Sequence, residues 1–389
     1  MKYKKKICVS INNRANYARI KTLLNEIRKN KNFELQILLG ASAILSRFGQ
    51  LDHILRKDGF NNFKKIYSIV EGENLTTMAK STGLSIIELS TFFENNRPDA
   101  VIVIADRFEN LSVAISASYL NIPLIHIQGG EVTGSIDEKV RHAITKLSNI
   151  HFVATKRSKD FLTKMGENKK NVFLTGCPSI DIAYRSKSKL PKDFFKKNSG
   201  VGNVPKYNEK YIVVMHHPET TKFDETYDQI RKTINAIIRI KDVKVVWLWP
   251  NIDAGSDIIS NQLRIIREKK LMTNISFFKN FSPEDYIKLI YNSECLVGNS
   301  SSGIRESSFL SIPVVNIGFR QNNRERGFNV LDVGHDEDKI FNAIIRQMKR
   351  KKIRKSFIYG DGFAHKKIVK ILVKIFKKEV SVEKELNYL

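Results

Sequence analysis

Cysteine is scarce in this chain: there are three in 389 residues, Cys8, Cys177 and Cys295, far apart and in no paired spacing. That excludes a disulfide framework and a cysteine zinc cluster. Nowhere do apolar residues run to the ~20 that a membrane helix needs. The apolar stretch after the basic N-terminus, Ile7 to Ile11, is too short for the core of a secretory signal. A cytoplasmic location with no membrane partner is therefore expected. Neither Gly-x-Gly-x-x-Gly nor a lysine-bearing phosphate loop is present, which argues against a nicotinamide site and a P-loop nucleotidase. Acidic residues are also few, 40 against 66 Lys and Arg, for a formal charge of +26. Such an excess would suit a nucleic acid, yet the lysines are spread along the chain, densest at 2–6, 186–197 and 348–355. No zinc-finger or RNA-binding motif accompanies them. The excess reads as a solvated lysine-rich surface that attracts small anions, with no nucleic-acid partner.

What is present is an alternation of short strands and helical stretches, in a chain long enough for two domains. Strands are expected at Ile7–Ile11, Phe33–Leu39, Lys65–Val70, Ala100–Ala105, Pro123–Ile127, Phe152–Thr155 and Val172–Thr175. Most are continuous apolar runs, as in strands covered on both faces. Between them apolar residues recur at helical spacing, as at Tyr17, Ile20, Leu24 and Ile27. After a polar stretch at 186–210, read as a linker, a second series begins: Tyr211–Met215, Val243–Trp249, Ile275–Phe278, Cys295–Val297 and Pro313–Ile317. Ser282 and Pro283 mark a helix start, and 366–379 has the spacing of an amphipathic basic helix. The expected fold is α/β, with two doubly wound Rossmann-like domains facing each other across a cleft. Residues 1–185 form the first domain, 211–365 the second and 366–389 a terminal helix and tail.

The informative residues fall where strands give way to helices, the ends at which open parallel sheets bind ligands. Between Ile125 and Leu147, a strand runs into Gln128-Gly129-Gly130-Glu131 and then into a helix opened by a Ser135/Glu138 capping box. Asp137 and Arg141, and Glu138 and His142, are spaced to share faces of that helix. Ala105-Asp106-Arg107 ends the neighbouring strand and aims a carboxylate at the same crevice. Asn13-Arg14 follows the first strand and suits a phosphate beside a helix N-terminus. In the second half, His216-His217-Pro218 follows the first strand, with no third ligand at metal spacing. Gly298-Asn299-Ser300-Ser301 opens a helix with hydroxyls and N–H groups suited to a pyrophosphate. Glu306 lies one to two turns further on, placed for ribose hydroxyls, and Arg320 follows the next strand. Carboxylates thus gather in the first half and anion-binding groups in the second.

With these residues in order, the chain resembles the hydrolysing UDP-N-acetylglucosamine 2-epimerases, including the epimerase half of the animal bifunctional sialic-acid enzyme. The likeness runs from about Ile7 to Gly362. It includes Asn13-Arg14-Ala15, Val70-Glu71-Gly72-Glu73, Asp106-Arg107-Phe108, the Ile125–Leu147 stretch, Gly176-Cys177-Pro178-Ser179, His217-Pro218, Pro250-Asn251-Ile252-Asp253-Ala254-Gly255, Gly298-Asn299-Ser300-Ser301, Arg320-Gln321 and Tyr359-Gly360-Asp361-Gly362.

The resemblance implies the GT-B arrangement, a UDP-sugar substrate with UDP as product, no cofactor, no metal, and a homodimer or homotetramer. It implies loss of the C2 proton as UDP leaves C1, giving 2-acetamidoglucal. Water then adds, giving N-acetylmannosamine for sialic-acid or related nonulosonic-acid synthesis. Asp106 and Asp137 match the proton-transfer positions. Arg14, His217, Ser300, Ser301, Glu306 and Arg320 match UDP-binding positions, with Arg107, His142 and Asn251 as further substrate contacts. Gln128 departs from the glutamate of many relatives and cannot act as a base, which leaves that role to Glu131, to water, or to a different balance of the two steps. Ala105 stands where glycine is more usual. A 2,4-diacetamido-2,4,6-trideoxy sugar of the legionaminic-acid type is an alternative substrate. A GT-B glycosyltransferase and a silent nucleotide-sugar binder are alternatives of other classes.

Overall fold

The computed structural model of the chain describes residues 4–46, 51–72, 74–133, 136–250, 253–269, 273–350 and 352–387. Two units emerge. The first holds 1–132, 136–184 and 358–389, and the second 133–135 and 185–357.

The first unit is built on β1 (Lys5–Ile11), β2 (Phe33–Leu39), β3 (Phe63–Lys65), β4 (Ala100–Ile104), β5 (Leu124–Ile127), β6 (Ile150–Val153) and β7 (Val172–Leu174). They form one parallel sheet in the order β3-β2-β1-β4-β5-β6-β7. The order reverses between β1 and β4, so the loops after these two strands part and leave a crevice at their carboxyl ends. Asparagines pin that point: Asn12 Nδ2 donates to Asn110 Oδ1 at 2.9 Å, and Asn110 Nδ2 to the Ile104 carbonyl at 2.6 Å. Core residues line both faces of the sheet, Ile7, Val9 and Ile102 on one side and Cys8, Val101 and Val103 on the other. This two-sided burial is why these strands read as unbroken apolar runs.

The second unit contains β8 (Val201–Gly202), β9 (Tyr211–Met215), β10 (Lys244–Leu248), β11 (Ile275–Phe278), β12 (Cys295–Gly298), β13 (Val314–Ile317) and β14 (Val330–Val333). Their order is β14-β13-β12-β9-β10-β11-β8, parallel except for the short antiparallel β8. Its reversal falls between β9 and β12. Both units are therefore doubly wound α/β sheets.

Several boundaries differ from expectation. The third strand is Phe63–Lys65 rather than Lys65–Val70. It is an edge strand, and only the Ile66 N–H continues the ladder, to the Leu39 carbonyl at 2.8 Å. The stretch 186–210 is not a free linker, because Phe194 is buried, stacks on Phe281 with ring centroids 5.7 Å apart, and β8 extends the sheet edge. The helix Ala364–Ile375 returns to the first unit, where Ile368, Val369 and Leu372 join the core formed by β1, β2 and the helix Arg14–Lys29. Beyond it, Lys384 donates to the Thr145 and Ser148 carbonyls at 2.9 and 2.6 Å and pairs with Glu167 at 2.7 Å. No described helix is long and apolar enough to cross a membrane.

Leu372 is fully buried in that core, so Leu372→Ala should destabilise the protein by about 2–5 kcal/mol in chemical denaturation. A loss below about 1 kcal/mol would show that the returning helix does not belong to the core.

Candidate active site

In the first unit, β4 hands the chain to Asp106 through Ala105, whose φ is 66°, and β5 hands it to Gly129 through Gln128, whose φ is 70°. Left-handed backbone costs a non-glycine residue on the order of 1–2 kcal/mol. Two such residues on adjacent strand ends mark a place where surrounding structure imposes the geometry.

The helix Ile136–Leu147 supplies what holds these loops. Arg141 lies on its buried face and is fully shielded from solvent. Its guanidinium ion-pairs with Asp106 through Nη2. Nη1 donates to the Glu131 carbonyl at 2.7 Å and to Glu138 Oε2 at 2.9 Å. Burial alone would lower the arginine's pKa, but the charges of Asp106, Glu131 and Glu138 outweigh it and hold the group above its ordinary value. The arginine is thus a fixed cation around which Asp106 and the Glu131 backbone converge.

Asp137 is half-buried in the helix's first turn. His142 Nε2 lies 2.7 Å from Glu138 Oε1, so Glu138 bridges Arg141 and His142. Ser135, its expected capping partner, lies outside the described residues. Gln128 is buried and donates from Nε2 to Cys177 Sγ at 2.7 Å, and that sulfur is 2.9 Å from Ser179 Oγ. Its amide is therefore anchored to the loop after β7. Arg107 turns to buried Glu109, with Nε and Nη2 3.1–3.2 Å from its oxygens. Arg14 opens its helix, half-buried, and burial lowers its pKa.

In the second unit the crevice is tied by Asn299. Its Oδ1 accepts from the His217 N–H and its Nδ2 donates to the His217 carbonyl, both at 2.8 Å. Gly298 makes this approach possible: a Cβ there would stand 1.9 Å from the Met215 carbonyl oxygen. Ser300 caps the short helix Ser301–Ile304. Arg320 Nη1 donates to the Asn299 carbonyl at 3.3 Å, and Nη2 is 3.5 Å from Asp253. Glu219, also buried, accepts at Oε1 from the Phe319 and Arg320 N–H groups at 2.7 and 3.2 Å and so sets the turn that carries Arg320. Its own burial would raise its pKa, but His335 and those two N–H groups outweigh it and leave it lowered. Glu306 is 8% exposed, and its Oε2 has no hydrogen-bond partner among the described residues. His217, Ser300, Glu306 and Arg320 therefore stand on the loops and helix starts that follow β9, β12 and β13. Asn251 lies outside the described residues.

Cys177 and Glu219 emerge only from the structure as parts of the site, whereas Arg141 was expected beside Asp137 and gains from the structure its buried ion pair with Asp106. Arg141 carried a sequence signal, a charge on the face between Val140 and Ile144, which a soluble helix tolerates only when the charge has partners. The other two act through contacts distant in sequence. Among the described residues no three His, Cys, Asp or Glu side chains gather as a metal site would require.

His126 and His216 are buried, and this desolvation, the leading cause, pushes both from 6.5 to about 3. Both stay neutral when folded, whereas the unfolded chain takes up protons below pH 6.5. Their stabilisation is therefore full above 6.5 and is lost as pH falls toward 3, by up to about 1.4 kcal/mol per pH unit for each ring. In urea titrations between pH 6.5 and 5, His216→Gln should remove about one proton from the slope of stability against pH. An unchanged slope would mean that the ring protonates in the folded state.

The family model described as UDP-N-acetylglucosamine 2-epimerase matches residues 25–373. The UDP-N,N'-diacetylbacillosamine 2-epimerase (hydrolyzing) of Legionella pneumophila is 32% identical over 368 residues, 95% of each chain. The polysialic acid biosynthesis protein P7 of Escherichia coli is 34% identical, covering 88% of this chain and 85% of its own. Among solved structures, the S. aureus MnaA–UDP co-structure superposes with a TM-score of 0.77 at 18% identity, over 99% of this chain and 100% of the other. This likeness agrees with the doubly wound α/β architecture of GT-B type. By the extent of the family match and the two relatives above 30% identity, the chain belongs to the UDP-N-acetylglucosamine 2-epimerase family.

Proposed function

We propose that this enzyme hydrolyses a UDP-linked 2-acetamido sugar with epimerisation at C2, releasing UDP and the free 2-epimer. In the first step the C2 proton is removed and the C1–O bond to UDP breaks, giving a 2-acetamidoglucal. In the second, water adds across the double bond, its oxygen to C1 and a proton to the opposite face of C2. No carbonyl acidifies the C2 proton, so the departing UDP must do so by leaving C1 electron-poor.

The observation that carries this reading is the Asp106–Arg141 pair. An adjacent arginine favours the ionised carboxylate, so Asp106 meets the substrate as a base. The same contact weakens that base. It suffices only when the proton is already acidified, as UDP departure provides. Asp137 and Glu131 are the further candidates for returning a proton. Gln128, neutral and tied to Cys177, orients the acetamido group or a water. His142, Arg107, Arg14 and Asn251 are assigned to substrate contacts. His217, Ser300, Ser301 and Arg320 take the pyrophosphate, where donors meet the charge that develops on the leaving group. Glu306 accepts from the ribose hydroxyls. A buried carboxylate oxygen lacking a donor is costly, and two vicinal hydroxyls supply what it lacks.

Two sugars fit comparably. N-Acetylglucosamine agrees with the family description, and 2,4-diacetamido-2,4,6-trideoxyglucose is favoured by the Legionella relative at 32% identity over nearly its whole length. The free epimer of either is a nonulosonic-acid precursor.

The test is incubation in D2O with each UDP-sugar, followed by NMR. The expected products are UDP and a free 2-epimer with deuterium at C2, formed without any acceptor and unaffected by chelator. A UDP-sugar epimer with UDP still attached, or an unepimerised free sugar, would contradict the reaction, and a requirement for an acceptor would indicate a glycosyltransferase. Glu306→Gln should weaken UDP binding about 10-fold by calorimetry, as loss of a charged hydrogen bond does, with folding unchanged.

A further inference from the structure

His126 on β5 is completely buried, next to the site but absent from the roles assigned above. Its ring spans two segments. Nε2 lies 3.0 Å from the carbonyl oxygen of Ala105, and Nδ1 lies 3.1 Å from Thr145 Oγ1. A carbonyl only accepts, so Nε2 carries the proton and Nδ1 accepts from the threonine hydroxyl. Burial, the leading influence on the ring, keeps it neutral in this tautomer. Gly129 closes over the bridge: a Cβ there would stand 3.0 Å from both Nδ1 and Oγ1.

The two bridged segments are those that the Asp106–Arg141 pair also joins. Ala105 directly precedes Asp106 and holds a φ of 66°, a conformation its Cβ disfavours. Thr145 lies one turn beyond Arg141 on the helix Ile136–Leu147. The turn after β4 is therefore fastened to this helix twice, by an ion pair at Asp106 and by a neutral hydrogen-bonded bridge at Ala105.

We propose that His126 is a positioning residue for the C2 proton transfer: it clamps the Ala105 carbonyl to Thr145 and thereby sets the direction in which the Asp106 carboxylate leaves the sheet. The claim rests on the proposed epimerase reaction. The histidine touches no substrate. It acts by holding a strained turn that would otherwise relax and carry Asp106 with it.

The test compares His126→Phe, His126→Gln and Thr145→Val with wild type, reading kcat, KM, UDP affinity and the folded fraction. His126→Phe removes both hydrogen bonds. It should lower kcat by about 10²-fold, the effect of a misplacement near 1 Å, while KM and UDP affinity stay within about 2-fold. A glutamine amide can donate to Ala105 and accept from Thr145, so His126→Gln should retain most of the rate. Adding Ala105→Gly to His126→Phe should recover much of the lost kcat, because glycine adopts the left-handed turn without strain. Should His126→Phe fail to fold, Thr145→Val reads the same claim by deleting one end of the bridge, with kcat about 10-fold lower and UDP affinity unchanged. A purely structural histidine would instead lower the folded fraction and leave kcat per folded molecule unchanged in every variant. That result, or kcat and UDP affinity falling together, would overturn the proposal. Wild-type protein that releases UDP from neither sugar would contradict the reaction itself, a failure distinct from that of the clamp.

Discussion

Burying an arginine is costly unless its charge is paired, and Arg141 dictates the first unit's site through that requirement. Its matches come from three places: the Asp106 carboxylate after β4, the Glu131 carbonyl after β5, and Glu138 one turn earlier on its own helix. To meet this demand, two loops must converge on one helix. Ala105 and Gln128 leave their strands in left-handed backbone on the way there. Proton-transfer candidates are thereby held around a cation whose charge does not change near neutral pH.

The second unit solves a different problem with the same sheet plan. Its strand order also reverses at the centre, and an asparagine again bridges the reversal, Asn299 to both backbone groups of His217. In the first unit this role falls to Asn12 and Asn110. Around Asn299 stand hydroxyls, N–H groups and Arg320, which itself lies 3.5 Å from Asp253. Glu219 is an acid there whose task is to orient the turn that carries the arginine. One architecture thus presents the candidate acid–base groups on one sheet and the candidate anion-binding groups on the other, which is the division that the proposed elimination of UDP requires.

Much of this was readable from sequence because it is local. Strands covered on both faces announce themselves as apolar runs, and the loop residues Asp106, Gln128–Glu131, His217 and Ser300 follow those runs directly. What was not readable depends on contacts between distant residues or on edges. β8 and β14 are short edge strands whose composition is not that of a covered strand. The polar stretch 186–210 hides Phe194, which is buried and stacked against the distant Phe281. The apolar face of the Ala364–Ile375 helix showed that it would pack, not that it would cross back to the first unit. The Asp106–Arg141 pair joins residues 35 positions apart and the Gln128–Cys177 contact residues 49 apart. Neither separation leaves a periodic trace.

The claim on which the account rests is that Asp106 and Arg141 form one buried unit. A double-mutant cycle with Asp106→Asn and Arg141→Met, read as unfolding free energy in denaturant, tests it most directly. Arg141→Met alone should cost about 3–5 kcal/mol by leaving buried acids without their cation. The double variant should cost clearly less than the sum of the singles, by at least about 1.5 kcal/mol. Additive losses would contradict the account, because they would mean that the carboxylate and the arginine are held independently of each other.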